Sequence, residues 1–91
     1  MAQQRNYHCV VQIGYTIFGV GRTPTGAVRD ANRYMDRKKS LSELKSGDPR
    51  ILGSTVLLPC SAAVYDYIRK GGNPAAMWEL DQGKVKLRWE I

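Results

Sequence analysis

Residues 7–13 alternate in character: Tyr7, Cys9, Val11 and Ile13 fall on one side of an extended chain, and His8, Val10 and Gln12 on the other. A period of two predicts a strand, and Val10 makes its second side partly apolar as well. Gly14-Tyr15 permits a tight reversal into a returning strand over residues 16–20, closed by Gly19 and Gly21. From Thr23 the period becomes helical. Thr23 is placed to cap, and Pro24 sits in the first turn, where a missing N–H costs nothing. Ala27, Val28, Ala31, Tyr34 and Met35 then form one apolar stripe. That stripe predicts a helix running on to Arg37, Lys38 and Lys39, whose cations would complement its negative pole.

Ser40-Leu41-Ser42-Glu43 reads as a capping box opening a single helical turn that Gly47 ends. Residues 51–58 are strand-like, and consecutive Val56-Leu57-Leu58 implies burial on both faces and a central place in the sheet, with Pro59 as the stop. Ser61 is positioned to cap a further helix through about Lys70, packed through Val64, Tyr65 and Ile68 and stopped by Gly71. Residues 77–81 and 84–90 flank Asp81-Gln82-Gly83 as a hairpin, with Trp78, Leu80, Val85, Leu87 and Trp89 expected on the core side. The elements predict an α+β fold of order β-β-α-β-α-β-β: a small, mostly antiparallel sheet of about five strands with two helices packed on one face.

The chain of 91 residues is the size of one domain, residues 1–91, and its 43% apolar content is enough for a packed core. No apolar run approaches the roughly 20 residues that cross a bilayer, so no membrane partner is expected. Met1-Ala2-Gln3-Gln4-Arg5-Asn6 lacks a secretory apolar stretch, which makes a cytoplasmic location the expectation. Cys9 and Cys60 are then expected to be reduced and to serve as small apolar side chains. One histidine and two cysteines without ligand spacing imply no metal, and no cofactor motif is complete. The formal net charge of +6 favours an acidic partner.

The strand-to-helix passage Gly19-Val20-Gly21-Arg22-Thr23-Pro24-Thr25-Gly26 comes nearest to a nucleotide loop. A dinucleotide fingerprint requires a glycine where Pro24 stands, and a phosphate loop requires Lys and Ser or Thr where Ala27 and Val28 stand. Cys60 precedes a helix start, which favours a thiolate, but His8 is the only imidazole to serve it. The carboxylates form no pair placed for acid–base chemistry. The chain is therefore read as a non-enzyme, with a thiol-dependent enzyme using Cys60 as one alternative. Arg29, Arg33 and Arg37 recur every four residues as a ridge on the first helix, and Lys84, Lys86 and Arg88 share one face of the last strand. These six cations are the candidate partner-binding surface. The last strand is expected at a sheet edge, where its charges discourage aggregation and where a second copy could pair. Single-stranded nucleic acid would call for exposed aromatics among the cations, whereas the tyrosines and tryptophans are expected mostly in the core.

Gly19-Val20-Gly21-Arg22-Thr23 leading to Ala27 and Asp30-Ala31, followed by Pro59-Cys60-Ser61-Ala62-Ala63 leading to Gly71-Gly72, resembles small accessory proteins of phages, plasmids and their hosts. The first half is similar to the β-β-α start of HicB-type antitoxin domains, although those add a strand before the helix and a DNA-binding module after it. The resemblance implies a mobile-element accessory or an inhibitor of host defence that works by covering a surface. The function expected is a non-enzymatic interaction module for an acidic protein or nucleoprotein surface, with direct nucleic-acid binding as the other alternative.

Overall fold

The computed structural model describes residues 7–75 and 78–90. Met77, expected to open a strand, and the leading residues Met1 to Asn6 lie outside them. The elements are β1 (Tyr7–Gln12), β2 (Ile17–Gly21), α1 (Pro24–Ala31), α2 (Leu41–Lys45), β3 (Thr55–Cys60), α3 (Ala62–Arg69), β4 (Trp78–Asp81) and β5 (Lys84–Leu87). The strands form one mixed sheet of order β2-β1-β3-β5-β4, confirming the α+β class and placing β3 at its centre. β1 is antiparallel to both β2 and β3, and β4 is antiparallel to β5; β3 meets β5 in parallel at Cys60 and Val85.

Alternation along β1 separates two cores. Cys9 and Val11 join Val56, Cys60 and Val64 beneath α3, whereas Val10 joins Ala27, Val28, Ala31 and Leu44 of α1 and α2. The helices therefore lie on opposite faces, not on one as expected. The reason is in β1 and β3, which carry apolar side chains at both odd and even positions and so need covering twice.

Gly21 closes β2 as expected and Gly19 sits inside it, and the two form the seat of α1. A Cβ on Gly19 would stand 2.4 Å from the Ala31 nitrogen, and one on Gly21 would stand 2.4 Å from the Ala27 nitrogen. The helix backbone thus rests on two positions without side chains. The pairing of β1 with β2 slips between Val10 and Val11, passing from Gly19 to Ile17, and the extra residue Phe18 packs with the α1 core.

Capping follows the sequence. Thr23 Oγ1 accepts the Gly26 N–H at 3.0 Å, Ser61 Oγ accepts the Val64 N–H at 3.2 Å, and Ser40 and Glu43 exchange both bonds of a capping box. α1, however, stops at Ala31 and does not reach Lys39. The Asn32 side chain donates to the Lys39 carbonyl and accepts the Lys39 N–H, each at 3.0 Å, an alternative to continued helix that short amides favour. The segment between is a loop.

Further boundaries differ for local reasons. β3 begins at Thr55, since Ile51 and Leu52 lie exposed in a turn where Ser54 donates to the Ile51 carbonyl. It runs through Pro59 to Cys60; the ring offers no N–H, and β5 meets β3 only beyond it. β5 is an interior strand, so its charges do not guard an edge; β4 is the edge, with exposed Glu79, Leu80 and Asp81. The β4–β5 turn carries Gln82 at φ 53° and Gly83 at φ 79°, the two positive values of a type I′ hairpin. β5 ends at Leu87 because Glu90 Oε2 accepts both the Leu87 N–H and the Ser61 hydroxyl at 2.7 Å. That turn leaves Trp89 half-exposed against the edge of Tyr67, at 5.4 Å between centroids, and not in the core as expected.

Gly19→Ala should lower stability by about 1–3 kcal/mol, the range for forcing extra atoms into a packed interior. Urea unfolding of the variant checks it, and an unchanged midpoint would show that α1 can move away freely.

Candidate functional site

The six cations picked from the sequence occupy two neighbourhoods. Arg29 is in the last turn of α1, Arg33 follows the helix in a turn, and Arg37 lies in the loop before α2, all three exposed. Because the helix ends at Ala31, they do not form one helical ridge. Lys84 and Lys86 face away from Val85 and Leu87, and Arg88 stands in the turn after β5. α1 packs chiefly on β2 and β1, whereas β5 lies beyond β3 in the sheet, so the two sets stand toward opposite ends of it. β4 also partly neutralises the second set: Glu79 is opposite Lys86, Asp81 is opposite Lys84, and Lys86 Nζ lies 3.5 Å from Asp81 Oδ2.

The first set gains neighbours that sequence spacing did not join to it. Residues 22–45 hold Arg22, Arg29, Arg33, Arg37, Lys38, Lys39 and Lys45 against three carboxylates. Two of the three bond to backbone. Asp30 Oδ2 accepts the Val20 N–H at 3.0 Å, and Glu43 accepts the Ser40 N–H in the capping box. The Ser40 N–H and hydroxyl hold the Glu43 carboxyl below its ordinary value, with Lys39 and Arg37 adding to the effect. Asn32, by fastening Lys39, closes residues 33–38 into a loop from which Arg33, Tyr34, Arg37 and Lys38 are exposed while Met35 packs inward. Tyr34 is 68% exposed, against its expected place on the buried stripe.

Tyr34 also forms one wall of an open cleft of about 550 Å³. Thr16, Ile17 and Phe18 of the β2 margin supply a second wall, Ile68 and Arg69 of α3 a third, and Asp30 lies among them. The Ile17 N–H donates to the Pro74 carbonyl at 2.9 Å, so both it and the Val20 N–H are engaged along this margin. Neither the cleft nor the exposure of Tyr34 was legible in the periodicity. The one signal was Asn32, a residue that competes for backbone bonds, in the middle of the apolar stripe.

The thiols present a different picture. Cys9 and Cys60 are free and buried, at 0% and 2% exposure, in the core beneath α3. Burial pushes the Cys9 thiol well above its ordinary value, and the neighbouring Cys60 thiol adds to this. His8 adjoins Cys9 in β1, so its side chain points to the opposite face from both thiols. A Cys60–His8 pair is therefore not assembled. Among the described residues no group of three His, Cys, Asp or Glu side chains is placed to hold a metal ion, and no helix is long and apolar enough to cross a membrane.

Comparison with protein-family models, curated proteins and solved structures finds no match to this chain.

Two predictions follow from these burials. A maleimide should label Cys9 and Cys60 far more slowly than a free thiol in the native protein, at a rate that climbs with denaturant; fast labelling of Cys60 without unfolding would revive the nucleophile reading. Desolvation holds His8 below its ordinary value of 6.5, so the fold favours neutral imidazole. The associated stability is full above 6.5 and is lost as pH falls through the folded value. Unfolding midpoints should thus decline on acidification below 6.5, before the carboxylates titrate, and His8→Gln should flatten that limb.

Proposed function

We propose that this chain is a non-enzymatic binding module that engages an acidic macromolecular surface through residues 22–45. The observation that carries this reading is the placement of charge. Seven cations lie in that segment, six of them exposed, and two of its three carboxylates bond to backbone groups. Such a surface attracts anions over a Debye length of about 10 Å and steers a partner before contact. A cytoplasmic setting, in which both buried thiols stay reduced, agrees with this role. An acidic protein face is the leading partner. Arg29, Arg33 and Arg37 make the main contacts, and Lys84, Lys86 and Arg88 belong to a separate, partly neutralised patch that contributes less. Direct nucleic-acid binding is the second reading, favoured by the exposure of Tyr34 among Arg33, Arg37 and Lys38.

Site-directed photocrosslinking tests the assignment. Benzoylphenylalanine in place of Arg33 should capture acidic partners in cell extract at low salt, with a yield that falls steeply as salt rises. The same group in place of Asp66, exposed on α3, should capture few. Equal yields from the two positions would remove residues 22–45 as the binding surface.

A further inference from the structure

We infer that the cleft beside Tyr34 receives an unpaired base of a single-stranded nucleic acid whose phosphates run over the cationic loop at residues 33–39. This rests on the second reading above, direct nucleic-acid binding, and names the part of that ligand which the cleft takes. Three observations converge. The first is size and lining: the cleft, at about 550 Å³, falls in the range of small-molecule sites, and Phe18, Tyr34 and Ile68 are among its lining residues. An aromatic exposed to this degree costs nothing to cover and offers a face for stacking, which every base can use.

The second is the arrangement of charge around that wall. Arg33 and Tyr34 are adjacent in the chain, Arg37 and Lys38 follow in the same closed loop, and Arg69 lines the cleft from α3. Cations interleaved with a stacking ring are what a flexible polyanion with flat side groups requires. An acidic protein surface would use the charges but leave the cleft and ring idle. The Asn32 side chain, bonded twice to Lys39, holds the loop closed before a ligand arrives, so less ordering is left to be done on binding.

The third is the polar content of the cleft. Asp30 is fastened through Oδ2 to the Val20 N–H, which fixes its carboxylate at the cleft. A carboxylate there repels phosphate but accepts from the exocyclic amine of a base, so it sorts the two parts of a nucleotide: base inward, phosphate outward. It also favours cytosine or adenine over thymine. Pairing of an extended peptide along β2 is the competing use of this margin, and the Ile17 and Val20 N–H groups it would need are already bonded. Duplex nucleic acid keeps its bases stacked and could not fill the cleft without extruding one.

Fluorescence anisotropy at low salt tests the inference, using a labelled oligocytidylate, an abasic phosphodiester polymer of the same length, and labelled polyglutamate. Wild type should bind oligocytidylate about tenfold or more tighter than the abasic polymer, the scale of one stacked base. Tyr34→Ala, an exposed change that retains every charge, should reduce oligocytidylate affinity to near the abasic level while leaving abasic binding unchanged. Tyr34→Trp should restore the preference. Equal affinity of wild type for the two polymers, or an unaffected Tyr34→Ala, overturns the inference. If polyglutamate and the abasic polymer still bind in that case, the broader polyanion reading stands; if no polymer binds, both fall.

Discussion

The seating of α1 on Gly19 and Gly21 is the contact on which the described arrangement turns. Two side chains are missing from β2 where the helix backbone comes to rest, and a methyl at either place would intrude on main chain, not on a side chain that could swing away. Close seating brings Asp30 within reach of the Val20 N–H and sets Ala27 and Ala31 against the sheet. It also fixes where the chain leaves the helix, and hence where the loop carrying Arg33, Tyr34, Arg37 and Lys38 emerges. Glycines that resemble the start of a nucleotide loop thus act in packing, through the side chains they lack.

The carboxylates show a related economy. Asp30 satisfies a strand N–H, Glu43 caps a helix, and Glu90 links the turn after β5 to the start of α3 through Ser61. Asp48 forms a bidentate contact with Arg50, whose guanidinium and N–H hold that carboxyl below its ordinary value. Four of the eight carboxylates thus serve local structure, and much of the positive charge is left exposed. Of the others, Glu79 and Asp81 face lysines across the β4–β5 hairpin, and Asp36 and Asp66 are exposed.

Elements with strong local chemistry were legible in the sequence. Thr23-Pro24, the Ser40–Glu43 box, Ser61 and Gln82-Gly83 each specify a cap or turn through bonds made within a few residues, and each is found in place. The central position of β3 followed from its doubled apolar pattern. What escaped was set by distant contacts. The alternation of β1 and β3 held the information that both faces need cover, yet it did not say which helix takes which face. Apolar periodicity carried the first helix eight residues too far, because Tyr34 and Met35 continued the stripe while Asn32 bonded elsewhere. The cations of residues 29–37 kept their exposure but lost their common axis, and those of β5 gained acidic partners from a strand that spacing alone could not set beside them. The cleft, assembled from β2, the end of α1 and α3, has no counterpart in any local pattern.

The open margin of β4 bears on how the protein behaves when crowded with copies of itself. Its sequence, Trp78-Glu79-Leu80-Asp81, puts both carboxylates on one side of the strand and both apolar groups on the other. Two copies joining antiparallel with their faces matched must align odd positions with odd ones, so that every such register sets acid against acid. Like charges directly opposite destabilise a strand pair. An edge of this kind resists extension into a larger sheet at high concentration, and it does so through the order of four residues, without a proline or a covering helix.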